Sequence, residues 1–208
     1  ETPGVSGRET RIREFIREKV EPLVDDVRED TMGNLICHRK PRPGKGKKAP
    51  RKPQRIMLAA HMDQIGFIVR YVDDKGFVRI NNVGGFDMRN LFARRMKVCA
   101  KSGDLPAVMN PGGKPVHIAT DEERKKVPEI HEFYLDLGLP PTDVKKKVQI
   151  GDMVVIDEPL IRMGDTVVSQ ALDDRIGCWV LIRALEKLKT HKCEVFAVFT
   201  VQEEVGLR

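Results

Sequence analysis

The sequence predicts an α/β fold interrupted by an inserted β domain, and three observations carry that expectation. Two apolar runs, Ile56-Met57-Leu58-Ala59-Ala60 and Val195 to Val201, the second broken only by Thr200, have the look of strands buried on both faces. Amphipathic helical segments lie near them, ahead of Pro22 and from Asp173 to Leu188. Between them, Ile65 to Ile161 is a succession of short strands and frequent turns with no long helix. The chain has 208 residues, 40% of them hydrophobic, enough for one large domain or two small ones. We place the boundaries at 1–64, 65–161 and 162–208, the first and third being parts of one α/β domain.

In chain order, Ser6-Gly-Arg-Glu9 fits a capping box at a helix start. The helix buries Ile12, Phe15, Ile16 and Val20 and is stopped by Pro22. Val24 to Glu29 and Asn34 to Arg39 read as a hairpin around Thr31-Met32-Gly33. Lys40 to Pro53 mixes proline, glycine and like charge and reads as a mobile loop. Ile65 to Val72 and Phe77 to Ile80 flank the turn Asp73-Asp74-Lys75-Gly76. Further strands are expected at Arg95 to Ala100, Glu132 to Leu137 and Asp152 to Asp157, with helical composition at Asp121 to Val127 and Thr142 to Val148. Such a segment suggests a small barrel or sandwich. The α/β pattern returns with a strand at Thr166 to Ser169, the helix Asp173 to Leu188, and the strand Val195 to Val201.

Composition narrows the function. The net charge is +6, but much of the basic excess sits between Lys40 and Lys52, and only 5% of residues are aromatic, which argues against a nucleic-acid surface. No run is apolar and long enough to span a bilayer, so no membrane partner is expected. Cys37, Cys99, Cys178 and Cys193 show no C-x-x-C spacing and no leader is seen before them, so reduced thiols in a cytoplasmic protein are the expectation. Both ends, Glu1-Thr2-Pro3 and Arg208, read as truncations.

Three places could carry chemistry, each at a strand end or helix start, where α/β folds bind ligands. His61-Met62-Asp63 leaves an apolar strand; a histidine there is a metal ligand or simply bonded to a nearby carboxylate. Asp173-Asp174-Arg175 opens a helix, where acidic residues also serve as caps. Gln202-Glu203-Glu204 follows the strand Val195 to Val201, and adjacent side chains on extended backbone point apart, which permits one metal ligand and one proton acceptor. Histidine with carboxylates favours zinc, cobalt or manganese.

Together with Glu1-Thr-Pro-Gly-Val-Ser-Gly7, Ala60 to Phe67, Val83-Gly-Gly-Phe-Asp87, Ala171-Leu-Asp-Asp-Arg175 and Phe199 to Arg208, these motifs resemble the tetrahedral-assembly and glutamyl aminopeptidases. That family comprises dinuclear metallopeptidases, some labelled endoglucanases. The resemblance implies an α/β/α sandwich of the zinc-aminopeptidase kind, incomplete here, with an inserted β-barrel that pairs subunits into a dimer or larger homo-oligomer. It makes His61, Asp173 and Glu204 metal ligands, Asp173 bridging two divalent ions, zinc or cobalt. Glu203 becomes the general base that takes a proton from an ion-activated water attacking a peptide substrate. Asp63 orients His61, while Asp174 and Arg175 support the bridging group. Gln64 stands where the family often has glutamate. Two further ligands of the family pattern fall beyond Arg208, so this chain is expected to be an N-terminal fragment, weak in metal binding and without useful turnover.

Two rivals are kept. A glycosidase would use paired carboxylates, but adjacent glutamates cannot flank a glycosidic bond, though Asp173 with one of them could. A non-catalytic binding or assembly module would use the basic loop or the inserted segment.

Overall fold

The computed structural model describes residues 1–206. Helix α1 (Thr10–Val20) is followed by strands β1 (Asp26–Glu29), β2 (Leu35–Arg39), β3 (Arg55–His61), β4 (Gly66–Val72), β5 (Val78–Val83), β6 (Arg94–Ala100) and β7 (Gly103–Pro111). Next come α2 (Asp121–Lys125), β8 (Phe133–Asp136), α3 (Pro141–Lys147), β9 (Met153–Ile156), β10 (Ile161–Met163) and β11 (Thr166–Val168). Helix α4 (Leu172–Lys187), strand β12 (Glu194–Thr200) and a 3-10 turn (Glu203–Val205) come last. The elements form two compact units: residues 65–170 with Glu1, and residues 2–64 with those from Ala171 on.

In the second of these units the sheet order is β1-β2-β12-β3, with β12 parallel to β3 and antiparallel to β2. Alternation along β12 sends Val195, Ala197 and Phe199 to one face, where Leu35 and Cys37 of β2 join them. Ile12, Ile16 and Val20 from α1 and Cys178, Leu181 and Leu185 from α4 complete this core, so both helices cover the same face. The described residues therefore supply the sheet and one helical layer of a sandwich. The buried guanidinium of Arg39 donates to the carbonyls of Leu185 and Leu188, tying β2 to the carbonyl-rich end of α4. On the opposite face His38 stacks on Phe196 with ring centroids 4.4 Å apart.

Strand β3 departs from expectation. Its apolar run reads as a strand buried on both faces, yet Ile56, Met57 and Leu58 are exposed, Met57 to 70%. The reason is position: β3 is the last strand of the sheet among the described residues, paired with β12 on one side only. The capping box also fails. Helix α1 starts at Thr10, Glu9 makes no capping bond, and the Ser6 hydroxyl is directed elsewhere. Lys40 to Pro53 carries neither helix nor strand, apart from one bridge between Arg42 and His191.

The other unit is a closed six-stranded barrel in the order β4-β5-β8-β7-β6-β9. Phe67, Val69, Val78, Ile80, Met96, Val98, Met109, Phe133 and Leu135 fill it, with Val144 and Val148 packed against them. At the β4–β5 turn Gly76 has φ 86°, and a Cβ there would lie 2.9 Å from the Cα of Pro141, so glycine is required on both counts. Strand β7 escaped the sequence reading because Pro106 and Pro111 lie in it and proline normally argues against a strand. Strand β11, expected to open the return of the α/β pattern, instead pairs with β10 in a two-stranded hairpin within the barrel unit. Among the described residues no helix is long and apolar enough to cross a membrane.

Phe199→Ala should cost about 3–5 kcal/mol, whereas Met57→Ser should change stability by less than about 0.5 kcal/mol. Urea unfolding of the two variants checks this contrast; a large loss from Met57→Ser would show that the strand is covered in solution.

Candidate functional site

The carboxylate of Asp63, just beyond the end of β3, is wholly buried. Its Oδ2 accepts from the Ser6 hydroxyl at 2.6 Å and from the Glu204 amide at 3.2 Å, and its Oδ1 accepts from the Glu203 amide at 3.1 Å. The same residue faces His61: Nδ1 lies 3.2 Å from the Asp63 carbonyl oxygen and 3.5 Å from Oδ1. With its proton on Nδ1 directed there, the ring presents Nε2 to the opposite side. Nε2 lies 3.0 Å from Asp173 Oδ1 and 3.8 Å from Glu203 Oε2. One imidazole nitrogen thus meets oxygens from two segments far away in sequence.

Asp173 precedes the regular part of α4, since it and Asp174 have non-helical backbone angles; the peptide between them is cis. Its side chain is 90% exposed, in contrast to His61. Asp174 accepts from the Gly177 amide at 2.9 Å, a capping role for the following helix. Arg175 turns inward, donating to the carbonyls of Met62 at 2.8 Å and Thr2 at 3.0 Å and to Gln64 Oε1 at 3.2 Å. It fastens the residues after β3 to the N-terminal segment, a job the sequence reading did not assign. Gln64, where a glutamate was the family expectation, serves as its neutral acceptor.

The electrostatics follow from this packing. Burial lowers the pKa of the His61 imidazole, but the Asp173 bond and the charges of Asp63 and Glu203 outweigh it and leave the pKa raised. Burial pushes the Glu204 carboxyl up, with neighbouring Asp63, Glu203 and Asp173 adding to the rise against His61. Burial likewise raises Glu9, whose Oε1 accepts from the amides of Gly7 at 2.7 Å and Gln202 at 3.2 Å. Burial brings Arg175 down to about 10 and drives the Cys178 thiol, which donates to the His61 carbonyl at 3.2 Å, up to about 12.

The structure therefore brings His61, Asp63, Asp173 and Glu203 together, and holds Glu204 beside them through its amide. The donor chemistry suits a borderline divalent cation, because an imidazole nitrogen and carboxylate oxygens converge where a positive charge would relieve their mutual repulsion. The set is open, however: among the described residues no group of three or more His, Cys, Asp or Glu side chains could hold an ion as it stands.

A family model for M42 glutamyl aminopeptidases matches residues 33–208. The chain belongs to that family. A relative from Acetivibrio thermocellus is 42% identical over 206 residues, covering 99% of this chain and 56% of its own. The solved TET aminopeptidase of Thaumarchaeota archaeon SCGC AB-539-E09 superposes with a TM-score of 0.87 at 31% identity, over 99% of this M42 chain and 56% of that one. The Pyrococcus horikoshii TET1 peptidase, described as assembling into a tetrahedron or a large octahedral shell, gives 0.82 at 31% identity, over 99% and 59%. This M42 chain thus spans a little over half the length of the relatives it matches.

Two outcomes test this geometry. Asp63→Ala strands three donors without an acceptor and should cost about 3–5 kcal/mol, while Asp63→Asn, which keeps one accepting oxygen, should cost less; urea unfolding measures both. At pH 8 iodoacetamide should modify Cys193 quickly and leave buried Cys178 and Cys37, both near 12, untouched until the chain unfolds, as read by peptide mass spectrometry.

Proposed function

We propose that this chain carries the metal-binding and proton-transfer residues of a dinuclear metal-dependent aminopeptidase, acting on the N-terminal residues of peptides. The single observation that carries the reading is the meeting of His61 Nε2 with Asp173 and Glu203 in a chain of the M42 family. His61 and Asp173, with Glu204, would hold two divalent ions, zinc or cobalt by donor type. When bound, such ions lower the pKa of water toward neutrality and stabilise negative charge on a carbonyl oxygen.

The chain's own residues do the rest. Asp63 faces the His61 ring at Nδ1, so that Nε2 is the nitrogen turned toward Asp173 and Glu203. Glu203 would accept a proton from water and return it to the departing amine, a role supported by the 3.8 Å separation of its Oε2 from His61 Nε2. Glu203 and Glu204 share one buried acceptor through their amides, which fixes the 3-10 turn that carries them, a turn in place of the extended backbone the sequence suggested. We assign residues 2–64 and those from Ala171 on to the catalytic domain, and the unit of residues 65–170, which takes in β10 and β11 that the sequence had given to the catalytic part, to a barrel that pairs subunits. The assemblies described for the related TET1 peptidase support a homo-oligomer. Four cysteines without a disulfide support a cytoplasmic setting.

The same reading includes weak ion binding and no useful turnover by these 208 residues. Calorimetric titration with cobalt tests the ligands. His61→Ala, Asp173→Ala and Glu204→Gln should each weaken binding at least about tenfold, and Glu203→Gln should leave it nearly unchanged. Ligand variants that bind as well as the parent would sink the assignment, and the opposite behaviour of the two glutamates would exchange their roles. Chelator-sensitive release of N-terminal residues by the purified chain would overturn its inactivity.

A further inference from the structure

The turn that presents Glu203 and Glu204 does not hold itself. It begins at Gln202 with φ 59° and ψ 26°, a left-handed conformation that non-glycine residues keep only when their surroundings impose it. Its three successive amides all bond to side chains outside the turn: Gln202 to Glu9 Oε1 at 3.2 Å, Glu203 to Asp63 Oδ1 at 3.1 Å and Glu204 to Asp63 Oδ2 at 3.2 Å. Asp63 is in turn held by the Ser6 hydroxyl at 2.6 Å, and Glu9 by the Gly7 amide at 2.7 Å. Ser6 and Glu9 are both buried. Neither spends its side chain on helix α1, whose N-cap makes no side-chain bond, so the Ser-x-x-Glu pattern is occupied with the distant turn instead.

We propose that Ser6 and Glu9 are positioning residues for the Glu203–Glu204 pair, Glu9 acting directly on the Gln202 amide and Ser6 through the orientation of Asp63. The N-terminal segment is then a brace that sets where the two carboxylates point. The consequence for metal binding rests on the reading given under Proposed function; the brace itself does not.

Amide hydrogen exchange on the 208-residue chain, resolved by residue with NMR, tests it. Glu9→Ala should speed exchange at Gln202 roughly ten- to hundredfold, and Ser6→Ala should speed it at Glu203 and Glu204 about tenfold. Amides within β12, such as Val198 and Phe199, should keep their parent rates. Glu9→Gln, which retains an accepting oxygen, and Ser6→Thr, which retains the hydroxyl, should restore protection. Cobalt affinity should fall and recover in the same order. Unchanged exchange at Gln202 to Glu204 in both alanine variants overturns the proposal. So does uniform acceleration that reaches β12 in the milder Ser6→Ala, because that marks general support of the fold. Local acceleration in a chain whose parent binds no cobalt upholds the brace and rejects the ion-binding reading.

Discussion

A carboxylate removed from water must find donors inside the protein or destabilise the fold that buries it. Asp63 finds three, and they come from parts of the chain that have no other reason to meet: a serine ahead of α1 and two amides beyond β12. The same residue faces the inner nitrogen of His61. Ring orientation, turn position and the path of the N-terminal segment are thereby settled by one side chain. Arg175 repeats the device with the opposite charge, reaching two main-chain carbonyls and Gln64, so the exit of β3 is gripped from both sides.

The balance of charge on the outer side of His61 is tilted. Nε2 faces oxygens of Asp173 and Glu203, and burial keeps Glu204 reluctant to ionise next to them. Such a cluster relaxes by taking up positive charge, either a proton on the imidazole or a cation from solution. Either would use the outer nitrogen, because the inner one faces Asp63.

Much of this was legible in the sequence, and the failures are instructive. The presence of strand β12, the β1–β2 hairpin and the turn at Gly76 follow from local patterns, whereas β12 buries alternate residues on one face and is only half-buried on the other, not buried on both faces as its apolar run suggests. Strand β3 was misjudged because an apolar run states what a strand could bury, not how many neighbours it has. Strand β7 was missed because proline in a barrel strand is tolerated where the partner does not need its N–H. In the site, His61, Asp173 and the glutamates stood out as residue types at element ends. The contacts of Ser6 and Glu9 did not, since their partners lie 57 and 193 residues away and the local Ser-x-x-Glu pattern already had an ordinary explanation. Local rules fail where a residue is recruited by something remote.

The barrel unit separates His61 from Asp173 by 112 residues of sequence, and the parallel pairing of β12 with β3 spans more still. Sheet and site therefore depend on long-range closure, and chains dominated by such pairings fold slowly. Thermodynamically the insertion is cheap, because the entropy of closing a flexible loop grows only with the logarithm of its length, about 0.6 kcal/mol for each doubling. The intervening segment is thus free to lengthen, shorten or change its surface over evolutionary time with little penalty to the sheet. A shift of a few ångströms in the brace around Asp63 has no such latitude.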